Sequence, residues 1–280
     1  CGAGAVEIKF GQSAKGTQPA VRLPSLEKAI AQKKNGLLVH PDPEDPAVAE
    51  AAKKGSCPVF WSYNRLPMWT EESLTRRVRE LRELGARNVY FKMAVVELDQ
   101  TLAREVMVPR TDMVTFDGAG GGSGYSPNRM MNEWGLPAVC IENAVVGVCR
   151  QLESEGKYIP FVTITGGFSG EDQVFKALAI GAPYVKAVGL CRAAMAAAMV
   201  GDRVGISLEE GSVPKHLQKF GGTREELFLE LGELRGLYGE AADRIPPGAV
   251  GAYSYLKKIA FGLQHFAALN RKFDIGLLGP

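Results

Sequence analysis

An α/β fold built on a parallel sheet of barrel type is predicted by three features of this sequence. Apolar, β-branched runs alternate with amphipathic stretches of helical period from Val6 to Arg192. The junctions that follow several of those runs are rich in glycine, at Gly118 to Gly124, at Thr165 to Gly170 and at Gly189 to Arg192. Past Val204 the alternation stops, and the remainder reads as helix and loop. Alternating strands and helices imply a parallel sheet whose loops gather at the carboxyl ends of the strands; when such a sheet closes, a phosphate often sits after its last two strands. The expected division is a barrel over residues 1–204 and a carboxyl-terminal helical extension over 205–280.

The elements are justified in order. Val6 to Phe10 alternates as a strand and is followed by the turn-like Gly11 to Gly16. Ser25 is an N-cap for a helix running to about Lys34, which Asn35-Gly36 ends. Leu37 to His40 reads as a buried strand, stopped by the proline-rich Pro41 to Pro46, and a short helix runs from Pro46 to Lys54. His40 is read either as a functional strand-end histidine or as a hydrogen-bonded rim residue. Cys57 to Tyr63 is a further strand, which Pro58 demotes to an edge or an insertion. Thr70 opens an amphipathic helix to about Leu84, with Leu74, Val78 and Leu81 on one face. Strand Asn88 to Met93, helix Leu98 to Val106 and strand Met113 to Phe116 follow. Ala138 to Ile141 reads as a short strand and Asn143 to Leu152 as a helix, then Ile159 to Ile164 as a strand and Glu171 to Ile180 as a helix. Strand Tyr184 to Val188 leads into a helix behind Arg192, and the extension holds helices at Arg224 to Tyr238 and Ala249 to Asn270.

Composition narrows the function. With 280 residues, 46% of them apolar, the chain can bury a substantial core. A net charge of +2 and the lack of a Lys/Arg cluster with interleaved aromatics argue against nucleic acid. Five cysteines, odd in number and without a C-x-x-C pair, argue against a disulfide framework or a zinc site and fit a reducing cytoplasm. The small-apolar run Ala193 to Val200 is too short to span a bilayer.

Phe116 to Pro127 is the stretch around which the rest is organised. Gly118, Gly120, Gly121, Gly122 and Gly124 let the backbone take positive φ and let a flat ring or an anion press against it. Gly166, Gly167 and Gly189, with the amides of Leu190, Cys191 and Arg192 after them, fit a phosphate site. Lys92 ends an apolar run, so its ammonium either snorkels to water or meets a negative group.

Four stretches together resemble the FMN-binding barrel of glutamate synthase, and most closely the stand-alone glutamate-synthase-related FMN proteins. They are Glu7 to Gly16 with the pattern I-K-x-x-Q-x-A-K-x-G, Phe91-Lys92-Met93, Gly118 to Pro127, and Gly166-Gly167. The resemblance implies a (β/α)8 TIM barrel. Its first two strand-helix units have no counterpart here, which implies an amino-terminally truncated chain. It also implies that Lys92 is the cation beside the flavin, stabilising the negative charge that reduction places on the ring. Lys9 and Gln12 would lie near the ring or the substrate, and Lys9, Gln12 and Lys15 would bind substrate carboxylates. The family reaction is reduction of the imine of 2-oxoglutarate and ammonia to glutamate.

Two departures qualify the resemblance. Glutamate synthase holds a three-iron cluster on three cysteines after its last barrel strand; here only Cys191 stands near that place, with Ala197 and Asp202 at the following positions. No iron–sulfur cluster is therefore expected, and Cys191 is read as a buried small hydrophobe or a backbone donor near the phosphate. No glutamine-hydrolysing domain is present in these residues either. Electrons should come from a separate partner: a reduced nicotinamide, a flavin or a small carrier protein. The helical extension is assigned to covering one face of the barrel or to contact between copies of the chain.

Overall fold

The computed structural model describes residues 4–12, 21–57, 59–63, 70–95, 107, 109–122, 133 and 135–279. Contacts within the chain gather into two compact units, Cys1–Gly167 with Tyr184–Ala187, and Phe168–Pro183 with Val188–Pro280.

The first unit carries a sheet of five strands in the order β1 (Ala5–Lys9), β5 (Asn88–Ala94), β6 (Met113–Asp117), β7 (Phe161–Thr165) and β8 (Val185–Gly189), with Val185–Ala187 belonging to this unit. β1 pairs parallel with β5, β5 with β6, and β6 with β7. Consecutive parallel strands need a crossover, and helices α3 (Glu71–Glu83) and α4 (Ala138–Ser154) stand where the chain supplies one. Val89, Phe91, Val114, Phe116, Val162 and Ile164 are wholly buried, and each contributes about 1.5–3 kcal/mol by leaving water. α3 forms because Thr70 accepts from the Ser73 amide in a capping box and because Leu74, Val78 and Leu81 make a buried stripe.

Residues between β1 and β5 hold a second, antiparallel sheet in the order β2 (Val21–Leu23), β4 (Phe60–Tyr63), β3 (Leu38–His40). Its core is Leu23, Val39, Phe60 and Ala29, the last from α1 (Leu26–Lys34), with Val48 and Ala52 of α2 (Pro46–Lys53) packed against it. One expectation changes here, and of one pair of alternatives, edge or insertion, the second holds. Leu37 to His40 is not a fully buried strand, since Leu38 and His40 are exposed and only Val39 points into this small core. The segment containing Phe60 is the middle strand of an insertion rather than an edge: it begins two residues beyond Pro58, so the missing amide is not asked of the ladder. His40 lies opposite Trp61 on this antiparallel sheet and is not a residue of the parallel strands.

The predicted strand Ala138 to Ile141 is instead the first turn of α4, continuous to Ser154. Ile141, Val145, Val148 and Leu152 are buried at helical spacing, so the apolar stripe begins inside the run that looked like a strand. The predicted helix Leu98 to Val106 lies outside the described residues.

The second unit is helical: α5 (Glu171–Gly181), α6 (Arg192–Glu209), α7 (Arg224–Leu227), α8 (Leu231–Tyr238) and α9 (Pro247–Leu269). The single helix expected from Arg224 to Tyr238 is broken at Phe228, whose φ of −114° and ψ of 82° turn its ring into a core with Leu231, Leu234, Ala242 and Val250. α6 and α9 pack through glycine. A Cβ on Gly201 would stand 2.6 Å from the Pro247 carbonyl oxygen, and one on Gly251 would stand 2.6 Å from that of Ala197. The run Ala193 to Val200 packs only on that side, because Met195, Met199 and Val200 are more than half exposed. Among the described residues, no helix is long and apolar enough to cross a membrane.

Candidate functional site

Strand register builds the site. Lys9 stands opposite Lys92, Lys92 opposite Thr115, and Thr115 opposite Thr163. Residues paired across parallel strands share a face, so these four side chains form one row, with Asp117 and Thr165 two residues further on. The other face is Ile8, Phe91, Val114 and Val162, then Met93, Phe116 and Ile164. The sheet is thus apolar on one side and carries two adjacent lysines and a set of hydroxyls on the other.

Two lysines about 4.8 Å apart along the row repel each other and favour an anion between or above them. Lys9 is exposed and its Nζ donates to Gln12 Oε1 at 2.7 Å. Lys92 is half-buried, and its ammonium has no hydrogen-bond or ion-pair partner among the described residues. The Phe10 amide donates to the Lys92 carbonyl at 2.8 Å, and the Phe10 and Phe91 rings meet edge-on at 5.3 Å, which fixes the end of β1 against β5.

The glycine loop folds over the carboxyl end of this row. Gly118 donates to the Thr165 carbonyl at 2.6 Å, and the Gly121 amide donates back to the Gly118 carbonyl at 3.0 Å. Gly120 and Gly122 have φ of 84° and 77°, as only glycine readily does. The Gly121 backbone lies directly on the buried Asp117 carboxylate, which accepts a hydrogen bond from the Thr165 hydroxyl. At Gly122 a Cβ would stand 2.8 Å from the Cβ of Gln12. Gly166 and Gly167 have φ of 96° and 92°; a Cβ on Gly166 would reach within 2.5 Å of the Gly118 carbonyl oxygen.

Lys9, Gln12, Lys92, Gly120, Gly121, Gly122, Gly166 and Gly167 therefore meet at one end of one sheet, linked by named contacts. Lys15 and Gly124 lie outside the described residues. Gly189, Leu190, Cys191 and Arg192 belong to the second unit, where they lead into α6. Cys191 is exposed at the N-cap of that helix, so its reading as a buried small hydrophobe is corrected. The inert buried cysteine is Cys149: burial pushes its thiol up to about 12, and its sulfur lies 3.9 Å from that of Met107. Among the described residues, no three His, Cys, Asp or Glu side chains gather as a metal-holding group.

Sequence reasoning missed Thr115, Asp117, Thr163 and Thr165. Their signal is a polar residue at every second position of two β-branched runs, Met113 to Asp117 and Phe161 to Thr165.

It also missed Glu142, which is 2% exposed on α4, with Oε1 lacking any hydrogen-bond partner among the described residues. Burial raises its carboxyl from 4.5 to about 7. The folded chain then keeps a proton that the unfolded chain has lost, so stability should fall as pH rises from about 4.5 to about 7 and level off above that. The loss should be roughly 3 kcal/mol. Denaturant midpoints at pH 5 and pH 8 should differ more for the wild type than for Glu142→Gln; parallel pH dependence in the two proteins would refute this.

A family model described as a conserved region in glutamate synthase matches residues 64–201. An archaeal-type glutamate synthase [NADPH] of Dehalococcoides mccartyi is 31% identical over 121 residues, covering 42% of this chain and 24% of that protein. An archaeal glutamate synthase [NADPH] of Archaeoglobus fulgidus is 28% identical over 121 residues, covering 42% and 23%. The chain thus spans about a quarter of the length of the curated relatives it matches. Among solved structures, a nitroalkane oxidase from Streptomyces ansochromogenes overlaps 95% of this chain and 82% of its own at 15% identity and a TM-score of 0.37.

Proposed function

We propose that this chain, related to the glutamate synthases through residues 64–201, supplies part of a (β/α)8 barrel that binds FMN and reduces a 2-imino or 2-oxo acid. The observation that carries the reading is the lysine row. Lys92 is half-buried on the polar face of the sheet, next to Lys9, and has no anionic partner among the described residues.

The residues present fit the cofactor on two counts. Lys92 offers a cation without an anionic partner among the described residues, and the left-handed glycines Gly120, Gly122, Gly166 and Gly167 keep side-chain atoms out of the loops around it. The amides of Gly166 and Gly167 would hold the phosphate, and Lys92 would face the electron-rich edge of the ring. FMN, when bound, supplies the hydride chemistry. Lys9 and Gln12, joined by their 2.7 Å hydrogen bond, would orient the carboxylate of the acid to be reduced, with Lys15 as a further cation. Steady-state oxidation of the FMN-loaded, reduced protein by 2-oxoglutarate with ammonia, and by other 2-oxo acids, tests the reading. Acceleration by a 2-oxo or imino acid over the rate in oxygen-free buffer is expected; no acceleration by any of them would leave only a binding module.

Electrons are proposed to arrive without a cluster. Ala197 and Asp202 stand where two thiolates would be needed, and both are used otherwise: the Ala197 carbonyl packs on Gly251, and Asp202 Oδ1 accepts from the Gly248 amide at 2.8 Å. Anaerobically prepared protein should hold no stoichiometric iron or acid-labile sulfide by colorimetric assay. Iron and sulfide at cluster stoichiometry would refute this route and require a reduced nicotinamide, flavin or carrier protein to act through iron.

A further inference from the structure

We propose that Thr163 is a hydrogen-bonding residue of the ligand site, its hydroxyl reserved for a polar edge of the bound ring. This rests on the reading that a flavin occupies the lysine face. Thr163 lies in the same row as Lys9, Lys92 and Thr115, two strands from Lys92, or roughly 10 Å along the sheet. A fused three-ring heterocycle spans such a distance, so one ligand can meet the cation and the hydroxyl together.

The hydroxyl is out of place as a structural group. Thr163 is 8% exposed, and its Oγ1 is buried without a hydrogen-bond partner among the described residues. Leaving a buried hydroxyl unpaired costs about 1–3 kcal/mol. Valine has the same branching and the same strand preference without that cost, and β7 already uses Val162 beside it. The neighbouring hydroxyl in the strand, that of Thr165, is committed to Asp117. A threonine at 163 therefore lowers the stability of the free protein, and a ligand that hydrogen-bonds to it offsets the loss. Thr111 provides an internal comparison. Its Oγ1 is likewise buried and unpaired, but it precedes β6 at the amino end of the strand, opposite the glycine loop.

The experiment compares the wild type with Thr163→Val, Thr163→Ser and Thr111→Val, reading denaturant stability without ligand, FMN affinity by fluorescence titration, and the absorption spectrum of bound FMN. Thr163→Val should be more stable than the wild type without ligand, bind FMN about tenfold more weakly and shift the bound-flavin spectrum. Thr163→Ser should keep affinity and spectrum near the wild type. Thr111→Val should gain stability and leave FMN binding unchanged. The proposal is overturned if Thr163→Val binds FMN with wild-type affinity and spectrum, or if it loses stability without ligand, which would mean that the hydroxyl has a structural partner. A wild type that takes up no FMN overturns the flavin reading itself, and this role with it, and is told apart because it fails before any variant is compared.

Discussion

Gly166→Ala should destabilise the first unit by roughly 2–5 kcal/mol, a large fraction of the 5–15 kcal/mol that holds a typical domain. Two costs add. At φ of 96° an alanine is strained by about 1–2 kcal/mol. Its Cβ would also stand 2.5 Å from the Gly118 carbonyl oxygen and 2.9 Å from the Gly118 nitrogen, backbone atoms of which the oxygen accepts from the Gly121 amide at 3.0 Å and the nitrogen donates to the Thr165 carbonyl at 2.6 Å. Neither can swing aside as a side chain would, so overpacking adds about 1–3 kcal/mol. Urea titration followed by circular dichroism measures the effect, and FMN uptake should fall with it. A loss below about 1 kcal/mol would mean that the two loops do not cross here as described.

Lys92→Met should leave the phosphate end of the site intact and make bound flavin harder to reduce. Methionine keeps the length and apolar stem of the side chain and removes the charge. A charge-assisted contact is worth about 1.5–3 kcal/mol, and the preference for the reduced, negatively charged ring should drop by that amount. The neighbouring Lys9 is held on Gln12 and does not replace it. Spectroelectrochemical titration of both proteins with FMN bound reads the difference. Equal potentials would show that Lys92 only reaches for water.

Local chemistry made much of the fold legible. Ser25 and Thr70 were readable as caps because their side chains satisfy amides within three residues, at Lys28 and Ser73. The glycine loop was readable because positive φ is a property of single residues, as at Gly120 and Gly122. What depended on distant partners was not. The run Ala138 to Ile141 fits a strand or a helix equally, and only the burial of Glu142, Val145 and Val148 beyond it decides for the helix. The antiparallel insertion joins Val21–Leu23, Leu38–His40 and Phe60–Tyr63, segments too short to announce their pairing.

The site divides in the same way. Lys9, Gln12, Lys92 and the glycines carry motif signals, and Lys92 is in addition a charge at the end of an apolar run. That Lys9, Lys92, Thr115 and Thr163 form one row follows from register, and a shift of one residue in any pairing would send them to opposite faces. Register is set by long-range packing, so Thr163 reads in the sequence as an ordinary strand residue.

Titration of the purified protein with FMN, followed by absorbance and by acid release of the chromophore, tests the proposed FMN site at the carboxyl end of this parallel sheet. Saturable uptake of one FMN per chain at micromolar concentration is expected, with a yellow protein after gel filtration and complete release by acid because no covalent link is made. A protein that stays colourless after incubation with FMN and gel filtration would contradict it.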